Sequence, residues 1–296
     1  MFLFEWPLYE SLNPAFLAVF AFIGALFGSF FNVLSQRWGN TQLRANDEQS
    51  ALWLKLRGVD ASIKDQPCKP LMGGRSSCPH CNAPIPLYRN IPLVSWLLQR
   101  GKTNCCKQSI SIRYLAFEVV GAALFTAVAW LISPSMYALT ISIMLMILVL
   151  ISVVDLHDGF IPDSLLMISA GIGLALTTHE NHWITPAVSI EYLVLTSLCV
   201  ILFFTLLSKL VGRGVIGGAD QYLLGISASI QGPVFFMTLP VLLVGLIISA
   251  MLIRSGWVKR GFFTRLIDAE KSVPAGPAIS ISIIVGVFIH LSGIAV

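Results

Sequence analysis

The chain has 296 residues, 56% hydrophobic and 11% charged, with a mean hydropathy of +0.80 and a formal net charge of +4. Soluble domains carry about 25% charged residues, so this chain cannot clothe itself in a water-facing surface and most of it must face lipid. No nucleic-acid partner is expected, because basic binding patches come with aromatic stacking or a recognisable fold; topology and attraction to anionic lipid account for the surplus of cations.

A spanning helix needs about 20 largely apolar residues. Such runs are predicted at 14–35, 114–133, 136–154, 164–178, 188–208, 234–253 and 275–295, with a weaker, glycine-containing one at 216–231. The opening Met1-Phe2-Leu3-Phe4-Glu5 lacks a basic n-region, so no cleavable signal peptide is expected and the first span should be retained. Charge placement decides the weak segment. The stretch 36–113 holds 12 of the 19 Lys and Arg residues, and the other seven lie between Lys209 and Lys271. With 36–113 in the cytoplasm and eight crossings, every Lys and Arg falls on the cytoplasmic side. Without a crossing at 216–231, the basic stretch 254–273 would land outside. The expectation is an all-α polytopic membrane protein with about eight transmembrane helices and both termini outside. It divides into a first part (1–35), a cytoplasmic cysteine-containing loop domain (36–113) and a seven-helix block (114–296).

The loop begins polar and turns rich in Pro, Gly and Cys from Gln66 onward. So little apolar surface usually needs a staple. Cys68, Cys78, Cys81, Cys105 and Cys106 all fall there. In a reducing cytoplasm metal is a better reading than disulfides. Cys78-Pro79-His80-Cys81 is a Cys-x-x-Cys knuckle that would supply two thiolates of a structural zinc site. The second half is irregular: Cys105 and Cys106 are adjacent and point in different directions, so Cys68 or His80 could complete the tetrahedron. Free thiols are the alternative. Cys199, in an apolar span, reads as packing.

Ionisable residues within spans are costly and are functional candidates by default. Asp155 closes one span and Asp220 opens the weak one, in Gly217-Gly218-Ala219-Asp220. The expected topology puts both at the cytoplasmic edge. Two close carboxylates share one proton, so one can act as a base on water while the other donates a proton. The glycines at 217 and 218 would allow close backbone approach. Helix capping is the alternative for both, and the preferred reading for Asp158 and Asp163, which flank Pro162. Glu118 is accounted for by the helix dipole. His179 and His182 are expected to be solvated loop residues, and His157 has no evident partner.

Taken in order, these segments resemble the type IV prepilin peptidase family, the leader peptidase/N-methyltransferases. The resemblance runs through Gly28-Ser29-Phe30-Phe31-Asn32-Val33 with Arg37, Cys78-Pro79-His80-Cys81, Asn90-Ile91-Pro92-Leu93-Val94-Ser95-Trp96 and Arg100-Gly101-Lys102. It continues through Ile110-Ser111-Ile112-Arg113-Tyr114 with Glu118, Asp155 with Ile161-Pro162-Asp163, Gly217-Gly218-Ala219-Asp220 and Ala275-Gly276-Pro277. It implies an aspartyl endopeptidase of the bacterial inner membrane with Asp155 and Asp220 as the catalytic pair. Its substrates would be type IV prepilins or type II secretion pseudopilins, cut after a Gly at the cytoplasmic face. A methyl group from S-adenosylmethionine would then pass to the new N-terminus. The methyl-donor site is assigned by resemblance only to the loop 36–113, with Gly101 and Glu118 as candidates. The family's metal cysteines match Cys78, Cys81 and Cys106; its fourth falls at Thr103, where Cys105 would have to substitute. The last glycine before the second aspartate is Ala219, the lysine two residues after it is Tyr222, and the acidic residue two after the first aspartate is His157. Two other classes remain open: a proton- or cation-coupled transporter using both aspartates, and a non-enzymatic scaffold stapled by zinc.

Overall fold

The computed structural model describes residues 13–56, 76–78, 80–81, 83–86, 91–179, 182–211, 218–254 and 275–293. Among these the secondary structure is helical: α1 (Pro14–Leu56), α2 (Val94–Leu98), α3 (Ile112–Ile132), α4 (Met136–Asp158), α5 (Asp163–Leu176), α6 (Pro186–Val211), α7 (Gly218–Gln231), α8 (Phe235–Arg254) and α9 (Gly276–Leu291). Local chemistry sets several ends. Ser135 caps α4, its hydroxyl accepting the Ala138 N–H at 3.1 Å, and Gly159 closes it in the left-handed conformation at φ 72°. Pro277 stands in the first turn of α9.

Among the described residues five stretches are long and apolar enough to cross a membrane, which makes the chain a multi-pass membrane protein. The last of them, Ala219–Ile248, holds two predicted spans. A short 3-10 turn at Gly232–Val234 separates α7 from α8 there. With the shorter apolar helices α5 and α9, eight helices match the eight predicted segments.

The first apolar span runs Pro14–Trp38, close to the expected 14–35, and α1 continues beyond it unbroken to Leu56. Nothing between Asn40 and Leu56 stops it: that stretch has no Pro or Gly and is rich in good helix formers. Gly217 and the basic stretch 255–273 lie outside the described residues, as does Cys68.

The chain forms two compact units, Ala25–Val120 on one hand and Met1–Gly24 with Gly121–Val296 on the other. Within the first, α1 meets α3 at Gly28, where a Cβ would strike the backbone of Phe117. Within the second, Gly24 meets Gly121 in the same way. Glycines four residues apart on one helix face let two membrane helices approach backbone to backbone.

The second unit is built around α4, 61% of whose apolar window is buried, against 6% for α6. Helix α9 packs on α4, α7 and α8, α5 packs on α4 and α7, and α6 packs on α7. One end of this bundle is polar. Gln231, at the end of α7, is fully buried; its amide donates to Ser227 at 2.7 Å and accepts from Thr238 of α8 at 2.8 Å. Its carbonyl is bonded by His290, near the end of α9, at 2.9 Å. Ser189, near the start of α6, donates to the Ser229 carbonyl. At the opposite end the Gly276 N–H, at the start of α9, reaches Asp155 near the end of α4. Helices α7 and α9 therefore run parallel from that end, and the first turn of α7 lies there too.

Candidate active site and metal centre

Asp155 is 5% exposed and Asp220 is 9% exposed. They lie in one compact unit, at the same end of the bundle, on helices that both pack against α5 and α9. Asp155 is one turn short of the end of α4, and its Oδ2 accepts the Gly276 N–H at 2.9 Å. A Cβ at position 276 would sit 2.7 Å from that same oxygen, so only glycine leaves room for the carboxylate. Asp220 stands in the first turn of α7, which opens at Gly218. Pro162 is buried and caps α5 without a side-chain bond, while Asp163 occupies the first turn. The expectation that His157 has no partner is corrected: its Nδ1 lies 2.8 Å from Oδ1 of the buried Asp158.

The cysteines of the other unit converge. Two antiparallel bridges, Ser77 with Pro84 and Lys102 with Ser109, frame two tight turns. The Cys78 N–H bonds Ala83, and the Thr103 N–H bonds Gln108. From these turns the Sγ atoms of Cys78, Cys81, Cys105 and Cys106 come within 4.8 Å of one another. Neighbouring sulfurs are 3.7 Å (Cys78 to Cys106), 3.4 Å (Cys81 to Cys105) and 3.9 Å (Cys105 to Cys106) apart. A tetrahedral thiolate site with bonds of about 2.3 Å has edges of about 3.8 Å, so the four fit one metal ion. Adjacency of Cys105 and Cys106 does not keep them apart. Lys107, at φ 58°, tightens the turn that folds both sulfurs inward. Thr103 lies beside the cluster, its hydroxyl 3.2 Å from the Cys106 sulfur. The backbone N–H groups of Cys81 and His80 draw the Cys78 thiol down to about 6. Cys81 goes the other way: the Ala83 amide lowers it, but the Cys105 sulfur and burial outweigh that and push it up to about 12.

The two residues suggested for a methyl donor have visible structural duties. Glu118 is buried, and its Oε2 accepts the Leu93 N–H at 2.7 Å, holding that residue at φ 62°. It is therefore not a mere dipole partner at the start of α3. Gly101 sits at φ 67°, where a Cβ would come within 3.1 Å of the Trp96 ring.

Sequence reasoning missed two features. Gly276 was only part of a motif; the glycine–proline pair just before an apolar run was its signal. His182, expected to be solvated, is instead half-buried among neighbours at the polar end, while His179 is exposed as expected. Tyr137 stacks on His179 and bonds His182 Nδ1 at 2.8 Å, and His182, Trp183 and His290 stack in succession.

Fold and site together define a multi-pass helical membrane protein with buried aspartates at one end of its bundle and a cluster of four cysteines spaced to hold a metal ion. The comparisons narrow this. Residues 22–132 match the family model of the bacterial peptidase A24 N-terminal domain. A Klebsiella pneumoniae prepilin leader peptidase/N-methyltransferase is 32% identical over 180 residues, 58% of this chain and 70% of that protein. One from Aeromonas hydrophila is 37% identical over 150 residues, 51% of this chain and 50% of that protein. One from Pectobacterium carotovorum is 27% identical over 284 residues, 95% and 96% of the two. The chain belongs to the prepilin leader peptidase/N-methyltransferase family. Its match spans about half the length of the Aeromonas hydrophila relative, and likewise 56% of one from Stutzerimonas stutzeri. No solved structure matches it.

Proposed function

We propose that this chain is an aspartyl endopeptidase of the bacterial inner membrane that removes the leader of type IV prepilins or type II secretion pseudopilins and methylates the new N-terminus. The names of its relatives support the two activities. The observation that carries the mechanism is the placement of Asp155 and Asp220, both buried and both at one end of one helical unit. There one carboxyl would keep a proton and the other would act on water as a general base, the usual outcome for two acids sharing a site. Attack on the scissile carbonyl and protonation of the leaving amine then require no further group. Gly276 positions Asp155; Pro162 and Gly218 stand at the starts of α5 and α7. The charge distribution supports placing this end of the bundle at the cytoplasmic face.

The cysteine cluster is read as a structural zinc site of Cys78, Cys81, Cys105 and Cys106, whose sulfur spacing suits that ion. Zinc there would hold the two turns together; all four positions are filled by thiolates, so it offers no open position for chemistry. S-adenosylmethionine is the methyl donor of the proposal. The loop 36–113 is its proposed site, with Gly101 and Glu118 as the candidate residues.

Intact mass of a prepilin incubated with the purified protein and S-adenosylmethionine tests the reading. Wild type should remove the leader and add one methyl group, while Asp155→Asn and Asp220→Asn should do neither. Cleavage that persists in both variants refutes the aspartyl mechanism, and cleavage without methylation confines the enzyme to one activity.

A further inference from the structure

The short helix α2 carries an apolar face that none of the described residues covers. Val94, Leu97 and Leu98, at the spacing of one helical face, are 48%, 62% and 79% exposed, and nearby Ile91 is 39% exposed. None of the five residues of α2 is buried. In the spanning helices such exposure means lipid; α2 lies in the connecting segment between two spans, where it is out of place in water.

Two observations say what covers it. The first is depth. Leu93, the residue before α2, is tied through its N–H to Glu118, six residues into α3, a rise of about 9 Å. The start of α2 is thus level with the first two turns of a membrane-spanning helix. Its far end is tethered as well. The Ile110 N–H, two residues before α3 begins, donates to the Gly101 carbonyl at 2.7 Å. The second is charge. From Gln66 to Phe117 there are seven Lys and Arg residues and no Asp or Glu. Arg100 and Lys102 follow α2 directly, and Lys107 is exposed on the same closed turn.

We propose that α2 is an interfacial helix, its Val94–Leu97–Leu98 face immersed at the headgroup–acyl boundary and the surrounding cations binding anionic lipid headgroups. An apolar helix face flanked by cations is the pattern that lies in a membrane surface. The helix pins the cysteine loop to the bilayer at both ends of its second half.

The test places the photoreactive residue p-benzoylphenylalanine at Leu98 in the full chain, and at Leu195, an exposed residue of α6, as the control. Both proteins are reconstituted in nanodiscs of phosphatidylethanolamine with phosphatidylglycerol, or of phosphatidylcholine alone, irradiated, and weighed intact. Lipid adducts should form at both positions in the anionic discs, and the Leu98 yield should fall several-fold in phosphatidylcholine while that at Leu195 holds. Absence of lipid adducts at Leu98 beside a labelled Leu195 overturns the proposal, as does crosslinking of Leu98 to a second copy of the chain. Equal yields at Leu98 in the two lipids overturn the role given to the cations.

Discussion

The backbone N–H of Gly276 donates to Oδ2 of Asp155 at 2.9 Å across 121 residues of sequence. The start of α9 is thereby a fixed wall beside the carboxylate, with no room for a methyl group on that wall. Gly276→Ala should displace the carboxylate and lower prepilin cleavage by about 100-fold, the scale at which misplacement by an ångström is felt. Metal content, measured by plasma mass spectrometry, should be unchanged, since the cysteines belong to another unit.

Cys105 stands within 3.4 Å of Cys81 and 3.9 Å of Cys106. Cys105→Ser should weaken zinc retention against a competing chelator by about tenfold or more. Cys199→Ser, at an exposed position on α6, should leave retention at the wild-type level.

Glu118 accepts the Leu93 N–H from a buried position. Leaving a donor without its partner costs about 1–3 kcal/mol, so Glu118→Ala should loosen the segment ahead of α2 by that order. Hydrogen exchange read by mass spectrometry should quicken at Leu93–Leu98 and stay unchanged in α4.

His182 lies in the connection between α5 and α6, against Tyr137 and Trp183. Burial, with His290 and His179 close by, holds its imidazole down to about 4. Above pH 6.5 the ring is neutral both folded and unfolded, so it carries no penalty there. As pH falls from about 6.5 towards 4 only the unfolded chain takes up the proton, and stability is lost over that window. The advantage of wild type over His182→Gln in thermal midpoint should therefore shrink between pH 7.5 and 4.5.

Helix count and approximate limits were legible in the residue order, because a membrane span is a local property: about twenty apolar residues must close their own backbone hydrogen bonds wherever they sit. Helix α1 outlasts its span because polarity stops a span but does not stop a helix, and nothing from Asn40 to Leu56 breaks one. The cysteine knuckle and both aspartates were legible from residue type, since ionisable and thiol groups stand out against an apolar background. Their partners were not. Whether Cys105 and Cys106 face one point depends on a turn with Lys107 at φ 58°. That Asp155 is held by Gly276, Glu118 by Leu93 and His182 by Tyr137 depends on helices meeting far along the chain. Composition and charge order alone determined that this chain is a polytopic helical membrane protein; only packing decided which backbone N–H each buried polar side chain meets, because those contacts join residues no local pattern connects.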